Sequence, residues 1–227
     1  MDPVSFLAAC SPLALAPTQQ QIESLEAFEE ALYFANQVMN LTRVAREECW
    51  LRHFVDSLLI APLLPERARV LDIGPGPGFP CWPLACCRPD LRVTALDSSG
   101  KAMRFLATQP LLNFELIQGR AEERGVREAY DVVTGRALAP LAIQLELSAA
   151  PCKVGGAVIP MRTPADEPSV QAADAKALGL ELETIHKATL PVLGAERWFP
   201  IYRKISATPE RYPRTWAEIR RAPLVKP

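Results

Sequence analysis

The sequence predicts an α/β fold: a doubly wound, mostly parallel seven-stranded sheet with helices on both faces and a helical cap before it. Three observations carry that prediction. Short apolar runs alternate with helix-length segments from Arg69 to Met161, the pattern of a parallel sheet covered on both sides. The first run ends in glycines, Gly74, Gly76 and Gly78, and the second ends in an acid, Asp97. Open α/β sheets build their ligand crevice at that carboxyl edge. Finally, 227 residues suffice for one such core with a modest extension.

Taken in order, Met1–Pro17 is rich in Ala and Pro and is expected to fray as a flexible N-terminus. An amphipathic helix is expected from Thr18, its N-cap, with Ile22, Leu25, Phe28 or Glu29, Leu32 and Tyr33 near helical spacing. A second helix is expected from about Glu47 to Leu64, with His53 and Asp56 on one face, and Pro65 closes this cap of residues 18–65. The main domain, residues 66–206, then supplies strands over Arg69–Ile73, Arg92–Leu96, Glu115–Gln118, Asp131–Thr134 and Ala157–Met161. Helices are expected over about Phe79–Arg88 and Leu141–Ala150, and Leu180–His186 with Trp198–Lys204 closes the sheet as an antiparallel pair. Residues 207–227 are expected to form a basic tail.

Composition narrows the class. Apolar residues at 49% and charged residues at 22% are ordinary for a globular chain. No apolar run reaches the roughly 18 residues of a membrane-spanning helix, and the first basic residue is Arg43, so no basic signal start is present. A cytoplasmic protein with no membrane partner is expected. The six cysteines (Cys10, Cys49, Cys81, Cys86, Cys87, Cys152) form no Cys-x-x-Cys pair, and the adjacent Cys86-Cys87 has no histidine nearby, which favours buried thiols over a metal site or a disulfide framework. The net charge of −1 hides an asymmetry: residues 1–42 carry five acids and no base, whereas Arg197–Pro227 carries eight bases and two acids. A basic end suits phosphate binding, or only a solvated surface.

The stretch Val70-Leu71-Asp72-Ile73-Gly74-Pro75-Gly76-Pro77-Gly78-Phe79 is the most informative. Glycine lets the chain turn tightly and lets a ligand lie against the backbone, and amides at a helix start attract a carboxylate. Asp97, ending the next strand, can accept hydrogen bonds from a ribose diol. Two cofactor classes share this geometry. The dinucleotide fingerprint Gly-x-Gly-x-x-Gly requires glycine where Phe79 stands, while Asp72 with the three glycines fits the Asp-x-Gly-x-Gly-x-Gly of S-adenosylmethionine (SAM) binders. A nicotinamide cofactor and a purely structural turn stay open on these residues alone.

Further pieces fall in order along the chain: Asn40-Leu41-Thr42, Arg52-His53-Phe54-Val55-Asp56-Ser57, the Asp72–Pro80 loop, Arg88-Pro89, Asp97-Ser98, Lys101 with Phe105-Leu106, Gly119-Arg120-Ala121-Glu122-Glu123, Arg136-Ala137, Gly155-Gly156, Glu196-Arg197 and Tyr212-Pro213-Arg214. Over residues 36 to 214 the chain resembles the bacterial small-subunit (16S) ribosomal RNA guanine-N7 methyltransferases, also called glucose-inhibited division protein B. The resemblance implies a Rossmann-like class I SAM-dependent methyltransferase fold, SAM as cofactor and no metal. It implies methyl transfer to N7 of one guanosine, with the small-subunit ribosomal RNA or the small ribosomal subunit as partner. Carried onto this chain, Asp72, Gly74, Gly76, Gly78, Phe79, Asp97, Ser98, Ala121, Glu122 and Arg136 would hold the cofactor. Arg136 would sit between cofactor and RNA, His53 and Arg136 would be the catalytic pair, and Asn40, Arg120, Arg162 and Arg197 would face the RNA.

N7 of guanine carries a lone pair and no proton, so attack on a sulfonium methyl needs positioning rather than a general base. That suits a chain with two histidines and no evident triad. An arginine on N7 itself would block the attack, so contacts to O6 or phosphate are favoured. The substrate base must also be presented unstacked. Plainer roles compete: His53 as a hydrogen-bonded core residue, Arg197 paired with Glu196, Lys101 and Arg104 on a solvated helix face, and Trp198, Phe199 and Tyr202 in strand packing.

Three positions depart from the family pattern: Pro75 for threonine, Cys81 for glycine, and Arg162-Thr163 for Lys-Gly. Proline removes a backbone donor, a larger side chain at 81 could narrow the pocket, and a guanidinium does not replace an ammonium geometrically. Rival readings are a same-fold SAM enzyme acting on a small molecule or protein, a non-catalytic RNA-binding module, and a nicotinamide-dependent dehydrogenase.

Overall fold

The apolar runs become β1 (Arg69–Ile73), β2 (Arg92–Asp97), β3 (Phe114–Gln118), β4 (Tyr130–Arg136) and β5 (Cys152–Met161), all parallel, in the computed structural model, which describes residues 1–224. With β6 (Leu180–Leu190) and β7 (Ala195–Lys204) they form one sheet of order β3-β2-β1-β4-β5-β7-β6, in which β7 runs antiparallel to both neighbours. Register aligns the carboxyl ends: Ile73 pairs with Leu96, Asp97 with Gln118, and Asp72 with Thr134. The glycine turn, Asp97, Gly119–Glu122 and Arg136 therefore emerge along one edge.

The helices are α1 (Pro3–Cys10), α2 (Gln19–Met39), α3 (Asp56–Leu58), α4 (Cys81–Cys87), α5 (Gly100–Ala107), α6 (Leu141–Ala149), α7 (Glu167–Ala172) and α8 (Trp216–Arg221). Thr18 and Gln21 form a capping box at the start of α2, which buries Ile22, Leu25, Phe28, Glu29 and Leu32. Phe28 meets Phe54, Phe79, Trp82 and Phe105, so one α2 side chain joins the cap to the glycine turn, α4 and α5.

Three expectations need correction. The N-terminal segment does not fray: Asp2 caps α1, and Phe6 and Cys10 are fully buried in the core. Its Ala and Leu favour helix, and burying Phe6 supplies the anchor that composition alone conceals. The helix expected over 47–64 is instead a 3-10 turn at Arg46–Glu48, a π-helical turn at Trp50–Val55, the short α3, and a second 3-10 turn at Ala61–Leu63. Residues 53–61 are all buried, so packing on every side rather than an amphipathic period sets its geometry. Wide turns of this kind concentrate at functional sites.

The third correction is the basic tail, which is docked. Arg214 grips the buried Glu146 carboxylate through Nε at 2.9 Å and NH2 at 2.7 Å, and Arg127 binds the carbonyls of Thr208 and Tyr212. Ile219 of α8 is fully buried against Ile143 and Leu147 of α6. Lys204, counted among the basic residues, is 1% exposed, and its Nζ donates to Ala149 O at 2.6 Å. Burial lowers its pKa to about 8. Lys226 lies outside the described residues. All six cysteines are buried, and burial raises Cys10, Cys49 and Cys152 to about 12. Among the described residues no helix is long and apolar enough to cross a membrane.

Candidate active site

Two cavities open at the carboxyl edge of the sheet. The first, of about 330 Å³, lies across the ends of β1, β2 and β3 and is lined by Gly74, Asp97, Ser98, Gly119–Glu122, Leu138 and Trp216 among others. The glycine turn is held by its own backbone: Pro75 O accepts from Gly78 N at 3.1 Å and from Phe79 N at 3.0 Å. Asp97 ties turn and strand together, Oδ2 accepting from Gly76 N at 2.9 Å and Oδ1 from Ser99 N at 2.8 Å. A carboxylate offers about four acceptor directions, so the same group retains capacity for a diol. On the opposite wall the Glu122 carboxylate pairs with Arg120 Nε at 2.7 Å.

Two of the glycines do different work. Gly76 has φ +55° and open space where a side chain would project. Gly78 has φ +118°, and a Cβ there would come within 2.8 Å of Leu106 Cδ2 and 3.2 Å of Trp82 Cβ. It is glycine for packing. Asp72 lies behind the turn, fully buried, with Oδ2 accepting from Cys81 N at 3.0 Å and Oδ1 without a partner. Burial raises its pKa to about 7.

The second cavity, of about 400 Å³, lies between the π-helical turn and the ends of β4, β5 and β7, and four arginines line it: Arg52, Arg136, Arg162 and Arg197. Asp56, 3% exposed, binds two of them, Arg136 NH1 to Oδ2 at 2.8 Å and Arg197 Nε to Oδ1 at 2.6 Å. Arg136 NH2 is 3.1 Å from His53 Nδ1. Because a guanidinium only donates, Nδ1 must accept, which leaves the proton on Nε2 to donate to Thr42 Oγ1 at 2.7 Å. Burial, with Arg136 beside it, lowers the His53 pKa to about 3. The imidazole is neutral with both nitrogens engaged. Arg162 is held by the Gln144 side-chain oxygen and lies 3.6 Å from Asp166.

The loop after β4 separates the cavities: Ala137 lines the second and Leu138, the next residue, lines the first. Consecutive residues of that loop thus border both cavities.

Residues 21–194 match the model of the rRNA small subunit methyltransferase G family. The chain is 34% identical to ribosomal RNA small subunit methyltransferase G of Bacillus velezensis, with 99% of each chain covered. It is 36% identical to the protein of that name from Lactobacillus delbrueckii subsp. bulgaricus, over 99% of this chain and 100% of the relative. The chain belongs to this family. Among solved structures, M. jannaschii TYW2 in complex with AdoMet shares the fold at TM-score 0.52 and 16% identity, covering 66% of this chain and 75% of that one. A 16S rRNA (adenine(1408)-N(1))-methyltransferase from Catenulisporales acidiphilia does so at TM-score 0.51 and 14% identity, covering 65% and 87%.

Membership makes the chain a methyltransferase with SAM as cofactor, on the class I fold. The first cavity fits that donor. Its volume falls within the ~300–1,000 Å³ of small-ligand sites, it offers Asp97 for a ribose, and Ile73, Leu96, Leu138 and Leu147 give it apolar walls. Of the residues expected there, Gly74, Asp97, Ser98, Ala121 and Glu122 line it. Asp72, Gly76, Gly78, Phe79 and Arg136 do not: the first four build the turn behind it, Phe79 being 2% exposed, and Arg136 lines the second cavity.

Of the residues expected to face RNA, Arg162 and Arg197 share the second cavity with His53 and Arg136. Arg120 lies instead on the first cavity, its guanidinium 5.3 Å from the Trp216 ring centroid. Asn40 lines neither; it ends α2 at φ 49°, its carbonyl and that of Met39 accepting from Lys101 Nζ at 3.1 and 2.9 Å. Lys101 thus caps α2 while lying, with Arg104, on the exposed face of α5. Arg197 pairs with Asp56 rather than with the Glu196 carboxylate, which accepts from the Trp198 indole. Trp198, Phe199 and Tyr202 are buried in strand packing. At the departures, Cys81 is fully buried and anchors Asp72, Pro75 closes the turn with its carbonyl, and Arg162 finds its planar partner in Gln144. Asp56 is the residue sequence reasoning left without a role; the available signal was a lone carboxylate in Phe54-Val55-Asp56-Ser57-Leu58, where burial demands a cationic partner.

Proposed function

We propose that this chain transfers the methyl group of SAM to N7 of a guanosine in small-subunit (16S) ribosomal RNA, acting on that RNA or on the small ribosomal subunit. The observation that carries the reading is the second cavity: four arginines gathered one residue away from the donor cavity, with every base in it already committed. His53 is neutral with both nitrogens bonded, Asp56 holds two guanidiniums, and Asp166 accepts from Thr163 and faces Arg162. An exocyclic amine or a ribose hydroxyl loses a proton on methylation and calls for a base. N7 does not.

When bound, SAM supplies an electrophilic sulfonium methyl. The chain's own residues do the positioning. Asp97 would receive the ribose hydroxyls, and the loop from Arg136 to Leu138 borders both cavities, so that the methyl and the acceptor nitrogen would meet at its rim. Arg136 is aimed by Asp56 and His53 and offers its remaining N–H groups to the guanine O6 edge or a phosphate; Arg197 and Arg52 meet the RNA backbone.

The test is incubation with methyl-labelled SAM and unmodified small subunits, followed by digestion and identification of the labelled nucleoside. Label in 7-methylguanosine is the expected result. Label in another nucleoside, or none with subunits that an active family member methylates, overturns the reading.

A further inference from the structure

The donor cavity has a wall that the glycine turn and Asp97 do not supply. Trp216, the first residue of α8, lines it together with Leu138, Leu147 and Gly119–Glu122. This residue lies beyond the segment matched by the family model, which ends at 194.

α8 is too short to be stable alone, so its place depends on anchors, and the structure has three. Thr215 and Glu218 form a capping box, with Thr215 Oγ1 donating to Glu218 Oε2 at 2.6 Å. Ile219, fully buried, docks on Ile143 and Leu147 of α6. Just ahead, Arg214 is clamped to the fully buried Glu146. The result is an indole that is only partly buried, with the Arg120 guanidinium 5.3 Å from its ring centroid. Arg120 in turn is held by Glu122. A large aromatic ring kept in place at a cavity edge is available to a ligand.

Position along the cavity indicates which part of a ligand it meets. Asp97 marks the ribose. In the strand order β3-β2-β1, Gly74 after β1 lies to one side of it, at the glycine turn, where backbone suits an amino-acid moiety; Gly119–Glu122 after β3 lie to the other, with Trp216 against Arg120. The group on that far side of the ribose in SAM is the purine, a flat π system that stacks on aromatic rings. We infer that Trp216 is the purine-contacting wall of the donor site, so that the docked C-terminal segment completes the cofactor pocket. This rests on the assignment of the cavity to SAM.

Calorimetric titration of SAM, and separately of adenosine, into wild type and the variants Trp216→Ala, Trp216→Phe and Trp216→Leu tests it. Loss of one aromatic–base stack weakens binding by about 5- to 100-fold, so Trp216→Ala and Trp216→Leu should lose affinity for both ligands by a similar factor in that span. Trp216→Phe should stay within about threefold of wild type, since it keeps a π face. Thermal melting reports whether each variant is folded; if Trp216→Ala is not, the comparison of Phe with Leu decides. Unchanged affinity in Trp216→Ala, or Leu binding as tightly as Phe, overturns the purine contact. Absence of SAM binding by wild type would sink the donor assignment itself, a separate result.

Discussion

The imidazole of His53 lies flat on the ring of Phe79, centroids 4.0 Å apart and planes within 5°. One residue belongs to the π-helical turn and the other directly follows the last glycine of the donor turn, so the stack bonds the acceptor cavity to the back of the donor site. Arg136 sits 5.3 Å from the same phenyl centroid, completing a layer of ring, ring and guanidinium. The stack is flat and buried, which explains why His53 stays uncharged: burial disfavours the charged imidazole, and Arg136 faces it as a cation.

That neutrality has a consequence for stability. The folded-state pKa, about 3, lies below the ordinary 6.5. The unfolded chain therefore binds a proton that the native chain refuses once pH falls below 6.5, and stability drops with decreasing pH through the window down to about 3. One such group contributes at most about 1.4 kcal/mol per pH unit. Urea titrations at pH 7, 6 and 5 should show a His53→Gln variant losing less stability on acidification than wild type. Equal losses would mean that His53 is not the group responsible.

Asp56 is expected to act as a positioning residue for two arginines. Removing one partner of a buried ion pair costs about 3–5 kcal/mol, and here the carboxylate serves two guanidiniums. Asp56→Asn keeps the shape but surrenders the charge, so a loss toward the lower end of that range is expected in denaturant unfolding. RNA methylation should fall by more than about tenfold, the equivalent of 1.4 kcal/mol, while SAM affinity holds. A variant whose SAM affinity fell as far as its RNA methylation would place Asp56 at the donor site instead.

Gly76 and Gly78 should respond differently to alanine. At Gly78 the new Cβ meets Leu106 and Trp82 at a φ of +118°, so strain and overpacking combine, for about 2–4 kcal/mol. At Gly76 nothing stands within 4 Å, leaving the left-handed backbone penalty alone, about 1–2 kcal/mol. Thermal unfolding of the two variants checks the order. Gly76→Ala melting below Gly78→Ala would contradict this division of roles.

Much of the donor side was legible because it is local. β1, the glycine turn and Asp97 fall within 29 consecutive residues, Arg69 to Asp97, and each declares itself by composition and spacing. The acceptor side was not, because Asp56 meets its arginines 80 and 141 residues away, pairings that only the sheet order brings about. Likewise α1 and α8 are short segments held by long-range burial of Phe6 and Ile219, for which local propensity carries no signal. The π-helical turn failed for the opposite reason: His53 and Asp56 are near enough to suggest a regular helix, but burial on all sides overrode the period.

The two cavities should also separate under mutation. Asp97→Ala removes the acceptor for the Gly76 and Ser99 amides as well as for a ribose. Hydrogen bonds to a charged group contribute about 1.5–3 kcal/mol, so SAM affinity should fall by about 10- to 100-fold with RNA binding intact. Arg197→Ala should do the reverse: RNA affinity falls, the salt dependence of binding flattens by about one phosphate contact, and SAM binding is spared. Arg197→Lys keeps the charge but not the fork that Asp56 holds, so it should recover the salt slope more fully than the methylation rate. Calorimetry with SAM and filter binding to small-subunit RNA at several salt concentrations, run on all three variants, measure both sides at once. Loss of SAM binding in Arg197→Ala together with retention in Asp97→Ala would reverse the assignment of the cavities.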